Sequence, residues 1–187
     1  NSQNINAREG WINLKSTGIT RRIDDLGRIV IPKEIRKNLK IKENEVLEIF
    51  INNDEIILKK FSHFNDSEKV LSDYIKVIND MTGNDVIITD RDKVILSSNK
   101  LEERLLNKKL SEYVNDLIEN RSTFLSNDMK GIEVIDNEKI KQNYYFIPLI
   151  IDSDVVGSII MFSSKKIDEN SKSLLLIASK LLVNYIE

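Results

Sequence analysis

The sequence predicts an α+β fold in two parts: a small basic unit of strand, strand, short helix, strand, strand, then a mostly antiparallel sheet flanked by helices. Three observations predict it. Residues 17–61 alternate apolar and polar side chains in short runs around a proline-started basic segment. Residues 68–81 change to three-four apolar spacing, the period of a helix. Beyond residue 85, short apolar runs bounded by Asp, Asn and Ser alternate with helical stretches.

Residues 1–14 show no period and are expected to form a non-native or disordered extension. They read equally as a leader translated in frame ahead of a UUG start at Leu14, with Arg8-Glu9-Gly10 as its purine-rich ribosome-binding site, or as a cloning remnant. The basic unit is placed at residues 15–61. Ile19, Arg21 and Ile23 alternate with Thr20, Arg22 and Asp24 in a strand over 18–24. Asp25-Leu26-Gly27 is a turn, with Gly supplying the positive φ that a tight reversal needs, and 28–31 is a second strand. Pro32 suits a helix first turn, where a missing N–H costs nothing. The helix that follows sets Ile35 and Leu39 on an inner face and leaves Lys33, Arg36, Lys37 and Lys40 outside. Residues 45–51 and 55–61 alternate again around Asn52-Asn53-Asp54, a hairpin. A unit this small needs a second chain to bury enough apolar surface.

Residues 62–67 form the expected linker, and 68–187 the second domain. Ser67 can cap the helix over 68–81, which bridges the domains, and Gly83 stops it. Strands are expected at 85–89, 94–98, 122–125, 132–135, 144–151 and 155–163, with 101–120 mostly helical and a closing helix over 174–186. The apolar stripes of residues 70–81 and 174–186 are wider than one neighbour requires, and predict packing of these helices across a dimer axis.

Composition limits the chemistry. At 187 residues there is room for one medium domain or two small ones. Hydrophobic residues at 41% and charged residues at 31% are the balance of a folded soluble protein. The absence of cysteine excludes disulfides, thiolate zinc sites and a Cys nucleophile, and the single histidine, His63, excludes two-histidine metal motifs. No phosphate-binding glycine loop is present, and Ser97-Ser98 and Ser163-Ser164 lack a general base. No catalytic residue, metal or cofactor is expected. The longest apolar runs, such as 146–151, fall short of the roughly 20 residues of a membrane helix, so a cytoplasmic protein without a membrane partner is expected.

The net charge of −2 conceals a division: residues 15–42 carry nine basic and three acidic side chains, whereas 61–187 carry sixteen basic and twenty-one acidic. Such asymmetry points to one part that meets a polyanion. A charge cluster on a small sheet is ordinarily a solvated face, but nine cations within 28 residues, taken together with the family resemblance that follows, favour DNA.

The segments GITRRIDDLGRIVIPKEIRKNL and EVLEIFINNDEIILKK resemble the swapped-hairpin DNA-binding domain of the AbrB family of bacterial transition-state and sporulation regulators. The element order beyond residue 67, with the hairpin IPLIIDSDVVGSIIMFS, resembles a GAF domain. The resemblance implies a domain-swapped dimer, two such dimers joined as a tetramer, and a cytoplasmic, nucleoid-associated regulator of sporulation genes in the forespore, binding degenerate sites on double-stranded DNA. Carried over by position, the DNA contacts become Arg21, Arg28 and Arg36, with Arg22 and Lys37 as basic neighbours. Lys37 stands where the family often has arginine, which keeps charge but gives up the bidentate fork. The GAF-like part is expected to sense a small-molecule effector or to assemble the tetramer.

Other clusters read as structural. Asp24 and Asp25 are expected to shape the turn and balance Arg21 and Arg22, and His63 to pack partly beside Phe61 and Phe64. Tyr113, Phe124, Tyr144, Tyr145 and Phe146 could line an effector cavity, though Tyr144 and Phe146 share one strand face and Tyr145 the other. The rival expectation is an antitoxin-like or structural module whose hairpin unit binds a protein partner.

Overall fold

The computed structural model describes residues 17–64, 67–98 and 101–187, so the expected extension over 1–14 lies outside the described residues. The chain divides into two compact units between Lys60 and Phe61.

In the first unit, residues 17–31 form no ladder, against the two strands expected, and turn at 25–27. A strand is defined by its neighbour, and this chain supplies none for them. Helix α1 (Lys33–Asn38) starts after Pro32, whose carbonyl accepts the Arg36 N–H at 3.0 Å. Strands β1 (Leu47–Asn52) and β2 (Glu55–Lys60) form an antiparallel hairpin. Asn52 pairs with Glu55, so the turn is Asn53-Asp54, with Asn53 at φ 50°. Cross-strand partners Ile49–Leu58 and Ile51–Ile56 share one face with Leu47. Phe50 and Ile57 lie opposite, with the Lys59 ammonium 5.0 Å from the Phe50 ring centre. Only Pro32 is buried among residues 17–60.

The second unit has a closed core. Helix α2 (Glu68–Thr82) ends as expected at Gly83, φ 69°, whose N–H reaches the Asn79 carbonyl at 2.7 Å. Ser67 precedes α2 but makes no side-chain capping bond to it. Strands β3 (Asp85–Thr89) and β4 (Val94–Ser97) are followed by α3 (Glu102–Leu105) and α4 (Glu112–Glu119). The single helical stretch expected over 101–120 is thus broken. Leu110 bridges to Ile135, and Ser111 Oγ both accepts the Val114 N–H at 3.2 Å and donates to the Glu133 carbonyl at 2.6 Å. A new helix begins where its cap is anchored.

Strands β5 (Phe124–Ser126), β6 (Ile132–Ile135), β7 (Glu138–Ile140), β8 (Asn143–Ile151) and β9 (Asp154–Ser163) follow, then α5 (Glu169–Ile186). β7 is too short and polar to show in the sequence, and pairs only with β6. α5 begins before the expected residue 174 because Asp168 accepts the Ser171 N–H at 2.7 Å, a cap ahead of a polar first turn. Order β4-β3-β9-β8-β5 makes an antiparallel sheet of five strands.

Both faces of this sheet are buried. One packs Val86, Ile88, Ile147, Ile159 and Met161 with Leu71, Ile75 and Ile78 of α2 and Leu175 and Leu182 of α5. The other packs Ile87, Phe146, Ile160 and Phe162 with Leu105, Val114, Ile118 and the β6–β7 ribbon. Phe64, expected in the linker, is buried in the first of these cores, and the His63 Nδ1 lies 3.3 Å from the Ile186 carbonyl. Among the described residues no helix is long and apolar enough to cross a membrane.

Gly157 of β9 permits the closest strand contact: a Cβ there would lie 2.0 Å from the Thr89 carbonyl oxygen. Gly157→Ala is expected to force β3 and β9 apart and lower unfolding stability by about 2 kcal/mol or more. Urea denaturation followed by tyrosine fluorescence measures this.

Candidate nucleic-acid interface

The basic residues sit on three consecutive pieces of the first unit. Arg21 and Arg22 lie on the segment before the turn, Arg28 just past the turn, and Arg36 and Lys37 in the last turn of α1. All five are exposed. Arg21 donates from a terminal guanidinium nitrogen to the Thr20 carbonyl at 2.8 Å.

Between Asp24 and Arg28 the backbone closes tightly. The Gly27 N–H donates to the Asp24 carbonyl at 3.0 Å and the Asp24 N–H to the Arg28 carbonyl at 3.1 Å. Gly27 takes φ +75°, with nothing within 4 Å of where a Cβ would stand, so glycine serves conformation here and not space. The Asp24 carboxylate completes the turn. Its Oδ1 accepts the N–H groups of Leu26 at 3.0 Å and Arg28 at 2.8 Å, and its Oδ2 accepts the Arg28 Nε–H at 2.8 Å. Asp24 therefore holds Arg28, where the sequence led us to expect balance with Arg21 and Arg22. The Asp24-x-x-Gly27 spacing is the signal that marks such a turn.

Two further residues join the helix to the hairpin, and sequence reading missed both. Lys60 Nζ donates to the Lys40 carbonyl past the end of α1 at 3.2 Å and lies 3.5 Å from Glu45 Oε1. Glu45 Oε2 accepts the Lys42 N–H at 2.7 Å. A lysine at the helix C-terminal end suits the negative end of its dipole. These contacts hold the segment carrying Arg36 and Lys37 against β2. Nothing in the alternating pattern of residues 45–61 distinguishes Lys60 from Lys59.

In the second unit the aromatic candidates divide as their alternation predicts. Tyr144 and Phe146 enter one core and Tyr145 packs on the other. The Tyr113 and Tyr144 hydroxyls are 3.0 Å apart, and Phe124 stacks on Tyr144 with ring centres 5.7 Å apart. Burial, with the hydrogen bond shared with Tyr113, pushes the Tyr144 phenol up. A separate apolar groove of about 320 Å³ runs between α2 and α5, lined by Val70, Tyr74, Val77, Leu174, Ile177 and Leu181.

Comparison with known proteins agrees with both halves. Residues 67–187 match the family described as stage V sporulation protein T C-terminal, transcription factor. Residues 20–62 match the family of antidote-toxin recognition MazE, bacterial antitoxin. Stage V sporulation protein T of Bacillus subtilis (strain 168) is 40% identical over 152 residues, 80% of this chain and 85% of that protein. Transition state regulatory protein AbrB of the same organism is 54% identical over 48 residues, 26% of this chain and 50% of AbrB, so the chain spans half the length of that relative. The GAF domain of an Acinetobacter phosphoenolpyruvate-protein phosphotransferase superposes over 68% of this chain and 84% of its own, with a TM-score of 0.55 at 13% identity, a likeness of fold alone.

A basic AbrB-type unit followed by a GAF-like domain defines a DNA-binding transcriptional regulator. The chain belongs to the stage V sporulation protein T family.

The Asp24 carboxyl is held below its usual value of 3.8, first by the Arg28 backbone N–H, then by the Arg28 side chain and the Leu26 N–H. A depressed carboxyl contributes stability above its unfolded value and loses it as pH falls through the folded one. The turn is thus expected to keep its form from neutral pH down to below 3.8. The carboxyl carbon shift of Asp24 measures this, and a midpoint at or above 3.8 contradicts it.

Proposed function

We propose that this regulator binds degenerate, AT-leaning sites on double-stranded DNA through Arg21, Arg22, Arg28, Arg36 and Lys37, presented by a domain-swapped dimer of the first unit. One observation carries the reading: residues 17–60 bury only Pro32, while these five cations are exposed and apolar side chains such as Ile51 (80%) and Ile56 (73%) stand in water. Apolar surface of that extent on a hairpin seeks a second copy. Residues 17–31, whose alternation is that of strands but which form no ladder within one chain, supply the strands to exchange. Two copies of residues 15–42 bring +12 to one face of the problem, the phosphate backbone.

No recognition helix is long enough to fill a major groove, since α1 has six residues. Selectivity then rests on a few arginine contacts together with DNA shape. The reading includes no catalytic role. It places the protein in the cytoplasm, associated with the nucleoid, in the forespore.

The second unit is proposed to join two dimers into a tetramer through the α2–α5 groove. Ile177 (56%), Val77 (54%) and Leu181 (50%) are exposed there, on faces that two neighbouring helices leave uncovered. An effector held near Tyr113, Phe124 and Tyr144 would act by linkage, favouring one paired arrangement and with it one DNA affinity. If no small molecule alters DNA affinity, assembly is the role of this unit.

A second reading has one observation in its favour, the match of residues 20–62 to an antitoxin family. In that case the hairpin unit binds a protein partner and its charge serves solubility. Mobility-shift assays with the regulatory DNA of sporulation genes and with random duplexes, at two salt concentrations, separate the readings. DNA binding should weaken by roughly 10³ to 10⁵ between 50 and 200 mM salt if six to ten phosphates are met. Salt-insensitive or undetectable binding favours the protein-partner reading.

Arg28→Ala is expected to lose DNA affinity on all sequences with the dimer intact; unchanged affinity removes Arg28 from the site. Ile177→Glu combined with Leu181→Glu is expected to halve the particle mass by light scattering. A tetramer that survives both charges places the assembly surface elsewhere.

A further inference from the structure

We propose that Asp24 is a positioning residue for DNA recognition, its carboxylate holding the Arg28 guanidinium in the orientation that meets DNA. The inference rests on Arg28 being a DNA contact, as proposed above.

The two carboxylate oxygens have separate partners. Oδ1 accepts both backbone N–H groups of the turn, from Leu26 and Arg28, while Oδ2 accepts only the Arg28 Nε–H at 2.8 Å. The turn is already closed by Oδ1 and by the backbone bonds of Gly27 and Asp24. Oδ2 is left to act on the arginine alone. The Arg28 side chain is 71% exposed and that of Asp24 36%, and an ion pair so open to water contributes little to stability. A carboxylate beside the approaching phosphates also opposes non-specific binding. Orientation accounts for its presence where stability and charge do not.

Engaging Nε also selects how the guanidinium can be used. The edge formed by Nε is committed to Asp24, and the end formed by the two terminal nitrogens remains to grip guanine O6 and N7, or a phosphate, bidentately. Arginine otherwise loses much rotamer freedom on binding, so holding it beforehand raises selectivity without a new contact. Asp24 therefore bears on discrimination between sequences more than on overall affinity.

Asp24→Asn tests this, because the amide oxygen can still accept the turn's N–H groups while the charged partner of Nε is removed. The probes are a duplex enriched by the full chain from a random library and a shuffled duplex of the same composition. The expected result is a fall of about threefold in the enriched-to-shuffled affinity ratio, the scale an exposed ion pair can supply, with shuffled binding equal or tighter and the melting temperature unchanged. In an Arg28→Ala background the same substitution should leave the ratio unaltered, since the two residues act as one. An unchanged ratio in Asp24→Asn, with Arg28→Ala losing it, overturns the inference, as do additive losses in the double variant. Should Asp24→Asn melt early, Asp24→Ser, whose hydroxyl can also accept from the turn, goes through the same cycle, with coupled losses supporting the inference and additive ones overturning it. Wild-type affinity in Arg28→Ala alone would instead strike the proposed DNA site beneath it.

Discussion

Every large apolar side chain of residues 17–60 is at least partly open to water in the single chain, and the fold and function of the first unit follow from that deficit. A two-stranded hairpin is marginal alone, since it has two faces and nothing to cover either. Here Ile49, Ile51, Ile56 and Leu58 line one face and Phe50 and Ile57 the other. On the proposed reading the energy that orders this unit comes from a second copy, and association rather than a core of its own then supports the cation-bearing segments.

The second unit has the opposite balance. Its five-stranded sheet is buried on both faces, with separate cores against α2 and α5 on one side and α3, α4 and the β6–β7 ribbon on the other. Such a body folds by itself and can present rigid surfaces. The apolar groove between α2 and α5 is the part of it left unfinished. Both units thus expose apolar surface where a copy is expected, but in the first the whole unit depends on it and in the second only an outer face does.

Local electrostatics give the basic unit its detail. The Asp24 carboxylate gathers two backbone N–H groups and one guanidinium, and Lys60 ties the end of α1 to the hairpin through the Lys40 carbonyl and Glu45. Neither contact is worth much energy at an exposed site. Their effect is geometric: each fixes where a cation-bearing segment starts or stops.

Much of this was legible from residues. Alternation marked β1 and β2, three-four spacing with Gly83 marked α2, and the crowding of cations over residues 15–42 marked the polyanion-binding part. These signals are periodic or compositional, and depend only on near neighbours along the chain. The break at Ser111, the small strand β7, the docking of Phe64 and the choice of Arg28 over Arg21 or Arg22 as partner of Asp24 were not legible. Two of them depend on groups brought from elsewhere, since the Glu133 carbonyl meets Ser111 from 22 residues away and Phe64 joins the core with residues of α2 and α5; β7 and the Asp24–Arg28 pair are local contacts that leave no period in the sequence. The sequence by itself determined the fold class and the division of charge, and raised the expectation of a second copy, because period and composition suffice for those. Tertiary structure decided which hydrogen bonds aim the side chains, because a donor and its acceptor must be placed in space before either can choose the other.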